Sequence, residues 1–265
     1  MTRSISRAMG GVLEELELEQ PELVTSEHLD RLVQQQGLRT PVKVVAARLR
    51  ERGWLLPTGR RGVWEFAPAA VAGAYSRNDP VMPLRAFLAE RPDARCALTF
   101  QAAAWAHDAA DRSPARPEVA AVTSELARQL PAALAGTVFK PCLDYQDIRG
   151  VPVLAIESLI VHMAARPKAV RSWSSALEWF PELARRPVPD LLMKELSGRP
   201  ASIRARTGYL LQGLRPDLAV AIRELAPPAG KTWFGSRGPL RRHDAAWQIA
   251  DTLLPFNPRE LAAVV

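Results

Sequence analysis

Apolar positions recur at helical spacing from the start of the chain. Over residues 4–18 they place Met9, Val12 and Leu16 on one face, and Pro21 ends the helix. Thr25, with Glu27 two residues on, predicts an N-cap and first turn for a second helix. That helix runs through Gln36 with Leu29, Leu32 and Val33 inward, and Gly37 stops it. Thr40-Pro41 predicts a third start, a capping threonine before a proline at the first helical position, and Gly53 closes it. Along this helix Val42, Val45, Ala46 and Leu49 share one side, while Lys43, Ala47 and Arg50 share the other. Trp54–Leu56 and Val63–Phe66 then read as strands, joined by the turn-rich Pro57–Gly62.

The small residues at 67–79 read as a linker, and a second domain is expected from Pro80. Leu84, Phe87 and Leu88 suggest a helix ending by Arg91-Pro92, and Thr99 or the residue before it starts another that runs through Phe100 to Trp105. Short strands are expected at Glu118–Val122, Thr137–Lys140, Tyr145–Arg149 and Val151–Ala155. Apolar sets then predict helices in 156–164, 172–184, 188–196, 201–212 and 216–225, with closing strands around 232–234 and 246–249.

At 265 residues, 48% hydrophobic and 24% charged, the chain has room for two ordinary domains. No run of about 18 apolar residues offers a membrane span. The N-terminus turns acidic where a signal peptide needs an apolar stretch, so a cytoplasmic protein is expected. Cys96 and Cys142 lie far apart with no CxxC, which predicts free thiols rather than zinc ligands or a disulfide. The net charge of +7 is unevenly spread. Residues 1–30 hold two Arg against seven acids, and residues 31–62 hold eight basic residues against Glu51. Residues 197–245 hold nine against three, making a second basic region. Such clustering is the electrostatic footprint of a polyanion binder.

Three helices and a hairpin with two arginines at its tip follow the order of a winged helix-turn-helix, assigned to residues 1–72. The third helix would then enter the major groove with Lys43 and Arg50, with Arg39 and Thr40 at its start. Arg60 and Arg61 would sit on the wing, near a phosphate backbone or a minor groove. The plain alternative is a solvated basic helix followed by an ordinary hairpin. No catalytic set emerges beside it. Gly230-Lys231-Thr232 lacks the glycine five residues earlier that a phosphate loop needs, since Leu225 stands there. His243-Asp244 is read as a chance pair, and His107, Asp108 and Asp111 as a helix end rather than metal ligands. No metal, cofactor or catalytic residue is expected.

Several later segments resemble, in order, the AbiEi family of type IV toxin–antitoxin antitoxins. GWLLPTGRRGVWEFAP looks like the family's wing and linker, and ALTFQAAAWAHDAADRSPARPEVAAVT like the entry to its second domain. GVPVLAIESLIVHM resembles a strand and its following helix, and ARTGYLLQGLRP is similar to the Arg-x-Gly-Tyr-Leu-Leu helix. KTWFGSRGP with AAWQIADTLLP resembles the closing strands. Gln212 stands where an acid is common, and residues 1–20 extend beyond a minimal winged helix. The resemblance implies an α+β protein: an N-terminal winged helix-turn-helix followed by a larger mixed α/β antitoxin domain over 80–265. It implies a non-enzymatic autorepressor that binds inverted repeats in double-stranded promoter DNA, where two copies meet. It also implies opposition to a co-encoded nucleotidyltransferase toxin. Arg199, Arg204, Arg206, Arg237, Arg241 and Arg242 are the candidates for a second basic surface. The competing expectation is a stand-alone regulator whose second domain senses a small ligand in a pocket lined by Trp residues.

Overall fold

Residues 7–70, 79–225 and 227–264 are described by a computed structural model of the protein. The start of the first expected helix and most of the linker at 67–79 lie outside them. Two units emerge, Met1–Ala94 and Arg95–Val265.

In the first unit, α1 (Arg7–Glu19) buries Met9, Val12 and Leu16. A short strand, β1 (Leu23–Thr25), leads into α2 (Ser26–Gln35). Thr25 caps α2 by accepting the His28 N–H at 3.1 Å. At its other end Leu38 donates to the Val33 carbonyl and Gly37 to that of Gln34, both at 3.0 Å. This is a Schellman stop, and Gly37 takes the left-handed conformation it needs, φ +61°. The next helix, α3 (Val42–Glu51), stops the same way: Trp54 donates to Leu49 and Gly53 to Arg50, each at 2.9 Å. The start of α3 differs from the expectation. Pro41, not Thr40, is the cap residue, and no side chain caps the helix. The extended ψ of Pro41 leaves it outside the helix, with its carbonyl accepting the N–H groups of Val44 and Val45.

β2 (Leu55–Pro57) and β3 (Val63–Phe66) form the expected hairpin, and β1 joins it to give an antiparallel sheet in the order β1-β3-β2. Gly62 ties the hairpin to α2: its carbonyl accepts the Ser26 N–H at 2.8 Å, and a Cβ there would lie 2.7 Å from Ser26 Oγ. Leu29, Leu32, Val45, Leu49, Trp54 and Phe66 close the core between helices and sheet. Each such burial is worth about 1.5–3 kcal/mol, so packing rather than helix propensity holds these short elements. A further helix, α4 (Met82–Glu90), packs on β1 and β3 with Leu84 and Phe87 buried. Its Arg85 pairs with Glu22 at 3.0 Å and Asp79 at 2.8 Å.

The second unit is built on a five-stranded sheet. β4 (Cys96–Leu98) is central and is followed by α5 (Phe100–Ala106), β5 (Glu118–Ala121), α6 (Ser124–Gln129) and β6 (Ala135–Val138). β7 (Gln146–Ile148) and β8 (Val151–Val153) complete the order β6-β5-β4-β8-β7. β8 leads into α7 (Ile156–Ala165), whose residues 157–164 are all buried. α8 (Trp173–Ala176), α9 (Phe180–Arg185), α10 (Pro189–Leu196), α11 (Ala201–Leu211) and α12 (Pro216–Leu225) follow; α9, α10 and α11 pack on α7, and α12 packs on α11. A second sheet, β10-β11-β9, is made from β9 (Thr232–Phe234), β10 (Arg242–Asp244) and β11 (Ile249–Asp251), and it packs on α11. A 3₁₀ turn at Pro258–Glu260 and α13 (Leu261–Val264) follow. The expected strand at 246–249 begins only at Ile249, because Asp244 accepts the Trp247 N–H and holds residues 245–248 as a turn.

Candidate functional site

The spacing of Lys43, Ala47 and Arg50 puts all three on the solvent side of α3, opposite the buried Val45, Ala46 and Leu49. That face forms one wall of a cavity of about 650 Å³ in the first unit. The end of the hairpin, with Arg61, Gly62 and Trp64, forms another wall, and the start of α2 contributes Ser26, Glu27 and Asp30. Three cations thus converge on one concavity with a small residue, Ala47, between two of them. Such a strip can grip an anionic ribbon through charge-assisted hydrogen bonds. The acids Glu27 and Asp30 line the far side and oppose an anion there. The sequence pattern marked Glu27 only as a first-turn acid and did not single out Asp30, although the Thr25 cap fixes the phase that turns both this way.

The other expected residues fall elsewhere. Arg39 is exposed and Thr40 half-buried ahead of α3, and neither lines the cavity. Arg60 turns back onto α4, where it pairs with Glu90 and lies 5.5 Å over the Phe87 ring. Its charge is already answered inside the unit.

The six arginines of the second basic region occupy several places. Arg199 pairs with the fully buried Glu195, donates to the Lys140 carbonyl at 2.7 Å and covers the Phe139 ring. Arg204 donates to the Arg199 carbonyl at 2.6 Å, which brings those two together. Arg242 pairs with buried Asp251 at 2.7 Å and also reaches the Leu254 and Phe256 carbonyls. Arg206 donates to the Trp233 carbonyl at 2.8 Å, while Arg237 and Arg241 are exposed. Arg199 and Arg242 therefore act first as counter-ions of interior carboxylates, a role that charge counting along a sequence does not reveal.

Of the residues weighed for metal or catalytic roles, His107 and Asp244 are held inside the fold, while Asp108, Asp111 and His243 are exposed. On β10 His243 is exposed and Asp244 buried, so the alternation of a strand separates the pair. Asp244 accepts from Arg259 and from the Gln212 amide at 3.1 Å. Gln212 also accepts from Arg259 at 3.1 Å. An amide suits this bridge because it offers a donor to one side and an acceptor to the other. His107 Nε2–H donates to the Leu154 carbonyl at 2.8 Å, and burial lowers its pKa. His162 lies between the Phe100 and Phe139 rings with Nδ1 2.8 Å from the Thr99 hydroxyl, and burial pushes it down to about 3.

Glu118 is the titrating group to watch. Its carboxylate accepts the Ala102 N–H of α5 at 3.1 Å, yet burial pushes its pKa up from 4.5 to about 7. A raised carboxyl pKa means that the folded state binds the proton more tightly than the unfolded one. The associated stability is complete below about 4.5 and is lost as the pH rises through about 7. The window is worth up to about 3 kcal/mol. Glu118→Gln keeps the acceptor and removes the charge. It should raise the melting temperature at pH 8 and leave it nearly unchanged at pH 4.5; equal shifts at both pH values would refute the burial argument.

The folds of the two units can be set beside known proteins. The RV2827C protein from Mycobacterium tuberculosis, known from a crystal structure, is similar to this chain with a TM-score of 0.76 and 26% identity. The match covers 99% of this chain and 96% of that one. No curated protein matches it. Residues 94–213 match the AbiEi antitoxin C-terminal domain. That segment, which carries the five-stranded sheet, the buried Glu195 and the Arg-Thr-Gly-Tyr-Leu-Leu helix on which the resemblance rested, is similar to the AbiEi antitoxin family.

Proposed function

We propose that the protein is the antitoxin of a type IV toxin–antitoxin pair and represses its own promoter. The first unit acts as a winged helix-turn-helix, with α3 in the major groove of double-stranded DNA and the β2–β3 hairpin as wing. The convergence of Lys43, Arg50 and Arg61 on one concavity carries this reading. Two copies meet on inverted repeats. The antitoxin domain opposes a co-encoded nucleotidyltransferase toxin by binding rather than by catalysis, and both jobs belong in the cytoplasm. In support of a chain that works in water, no helix among the described residues is long and apolar enough to cross a membrane. The competing reading, a Trp-lined sensor pocket, draws no support from Trp173, Trp179 and Trp247, which are buried as core.

The test measures anisotropy of labelled promoter DNA against salt, together with co-expression of the full chain and the toxin. Affinity should fall steeply with salt, at about 0.9 units of log–log slope per phosphate neutralised. Arg61→Ala should flatten that slope by roughly one unit. Arg60→Ala should leave it unchanged, because Glu90 already holds that guanidinium. Salt-independent binding, or cells that die despite the antitoxin, would end the proposal.

A further inference from the structure

A second concavity, of about 450 Å³, lies within the second unit and is lined by no acid. Its walls come from the end of α7, the edge strand β6, α11 and the loop after β9, and they carry Arg166, Lys168, Arg206, Thr137 and Gly235. Arg206 is half-buried at its inner end. It donates through Nε to the Trp233 carbonyl at 2.8 Å and through Nη1, weakly, to Ala164 at 3.4 Å. Both acceptors are neutral. Elsewhere in the unit Arg199, Arg215, Arg242 and Arg259 each face a carboxylate, those of Glu195, Asp217, Asp251 and Asp244. Arg206, Arg166 and Lys168 form no ion pair among the described residues. Burial accordingly pushes the Arg206 pKa below its ordinary value with nothing to offset it.

An unneutralised guanidinium in a half-buried place is unfavourable unless an anion completes it. The surrounding wall is also fixed. Lys168 lines the cavity, and its Nζ donates to Ser236 Oγ at 3.0 Å. Gly235, at φ +112°, is pressed so close to residues 252–253 that a Cβ would lie 2.6 Å from Thr252 Oγ1. We propose that this concavity binds the terminal phosphate of a small phosphorylated molecule, with Arg206 at the floor and Arg166 and Lys168 at the mouth. A terminal phosphate presents three free oxygens to three separated cations. A phosphodiester inside a nucleic-acid strand offers two and is held off the floor by its own chain.

The test is calorimetric titration of the full chain with inorganic pyrophosphate, with each of the four ribonucleoside triphosphates, with citrate and with a single-stranded oligonucleotide. Pyrophosphate or a triphosphate should bind at one site per chain, and citrate at least tenfold more weakly. Preference for a triphosphate over pyrophosphate would identify a nucleotide; the reverse would identify free polyphosphate. The Arg166→Ala, Lys168→Ala double variant, changed only at exposed positions, should weaken binding at least tenfold with its melting temperature retained. Arg206→Met should abolish binding; its fold is checked by the same melt. Citrate binding as tight as the phosphates would overturn the assignment. So would unchanged affinity in the double variant, or an oligonucleotide that binds where the small phosphates do not.

Discussion

A Lys43→Ala, Arg50→Ala double variant should bind its promoter tens-fold or more weakly than the parent while melting at nearly the same temperature. Both side chains are exposed, and neither forms an ion pair or hydrogen bond among the described residues. Their removal therefore costs the fold little, within about 0.5 kcal/mol for such surface positions. Packing of α3 stays with Val45, Ala46 and Leu49. A lost base-edge contact is worth about 1–3 kcal/mol, so two together give the expected loss. The variant would also leave Glu27 and Asp30 as the main charges beside Arg61 in the concavity, which turns a mildly cationic strip into one that repels phosphate. Unchanged promoter affinity would remove α3 from the interface.

Gly208→Val should lower the stability of the second unit by about 3 kcal/mol, through overpacking of a filled core. A Cβ at Gly208 would lie 2.0 Å from Cη2 of Trp247, and that ring is fully buried. The indole cannot simply swing away. Its backbone N–H is held by Asp244 at 3.1 Å, and the neighbouring Tyr209 hydroxyl donates to Asp251 at 2.9 Å. For a unit of this size the expected fall in melting temperature is roughly 6–12 °C. Gly10→Ala is the contrast, since nothing lies within 4 Å of a Cβ there and α1 would gain a better helix former. It should stabilise by up to about 1 kcal/mol. A Gly208→Val protein that melts with the parent would mean that α11 and Trp247 do not meet as described.

The sequence announced most helices, because period and punctuation agreed. Gly37 and Gly53 stop α2 and α3 where expected, and 201–212 and 216–225 became α11 and α12 almost residue for residue. Strands of three residues were another matter. β1, β4 and β10 are too short to show a period of two, and β4 is buried on both sides, which erases the alternation altogether. Of the five arginines and lysines proposed for the interface, the pattern could say that Lys43 and Arg50 share a face, since that is local geometry. It could not say that Arg60 would be captured by Glu90, because that pairing spans thirty residues and depends on α4 packing against β1 and β3. The helix at 82–90 itself was legible, but nothing in the spacing of Leu84 and Phe87 tells which core they enter. The AbiEi resemblance was legible in the helix at 206–211, whose residues now have separate jobs: Arg206 reaches Trp233, Gly208 admits Trp247, and Tyr209 holds Asp251.

The seating of Trp247 against Gly208 has a bearing on how the molecule is made. Every residue that the first unit's sheet needs has been added to the growing polypeptide by Phe66. The groove on α11 stays unfilled until position 247, and the Tyr209 hydroxyl waits until position 251 for its acceptor. At about 5–20 residues per second, the interval from residue 94 to Trp247 is roughly 8–30 s of translation. Throughout it the nascent chain carries a finished N-terminal unit ahead of an open, apolar one. The segment 94–213 that matches the antitoxin domain is thus shorter than the stretch that must emerge from the ribosome before its own core can shut.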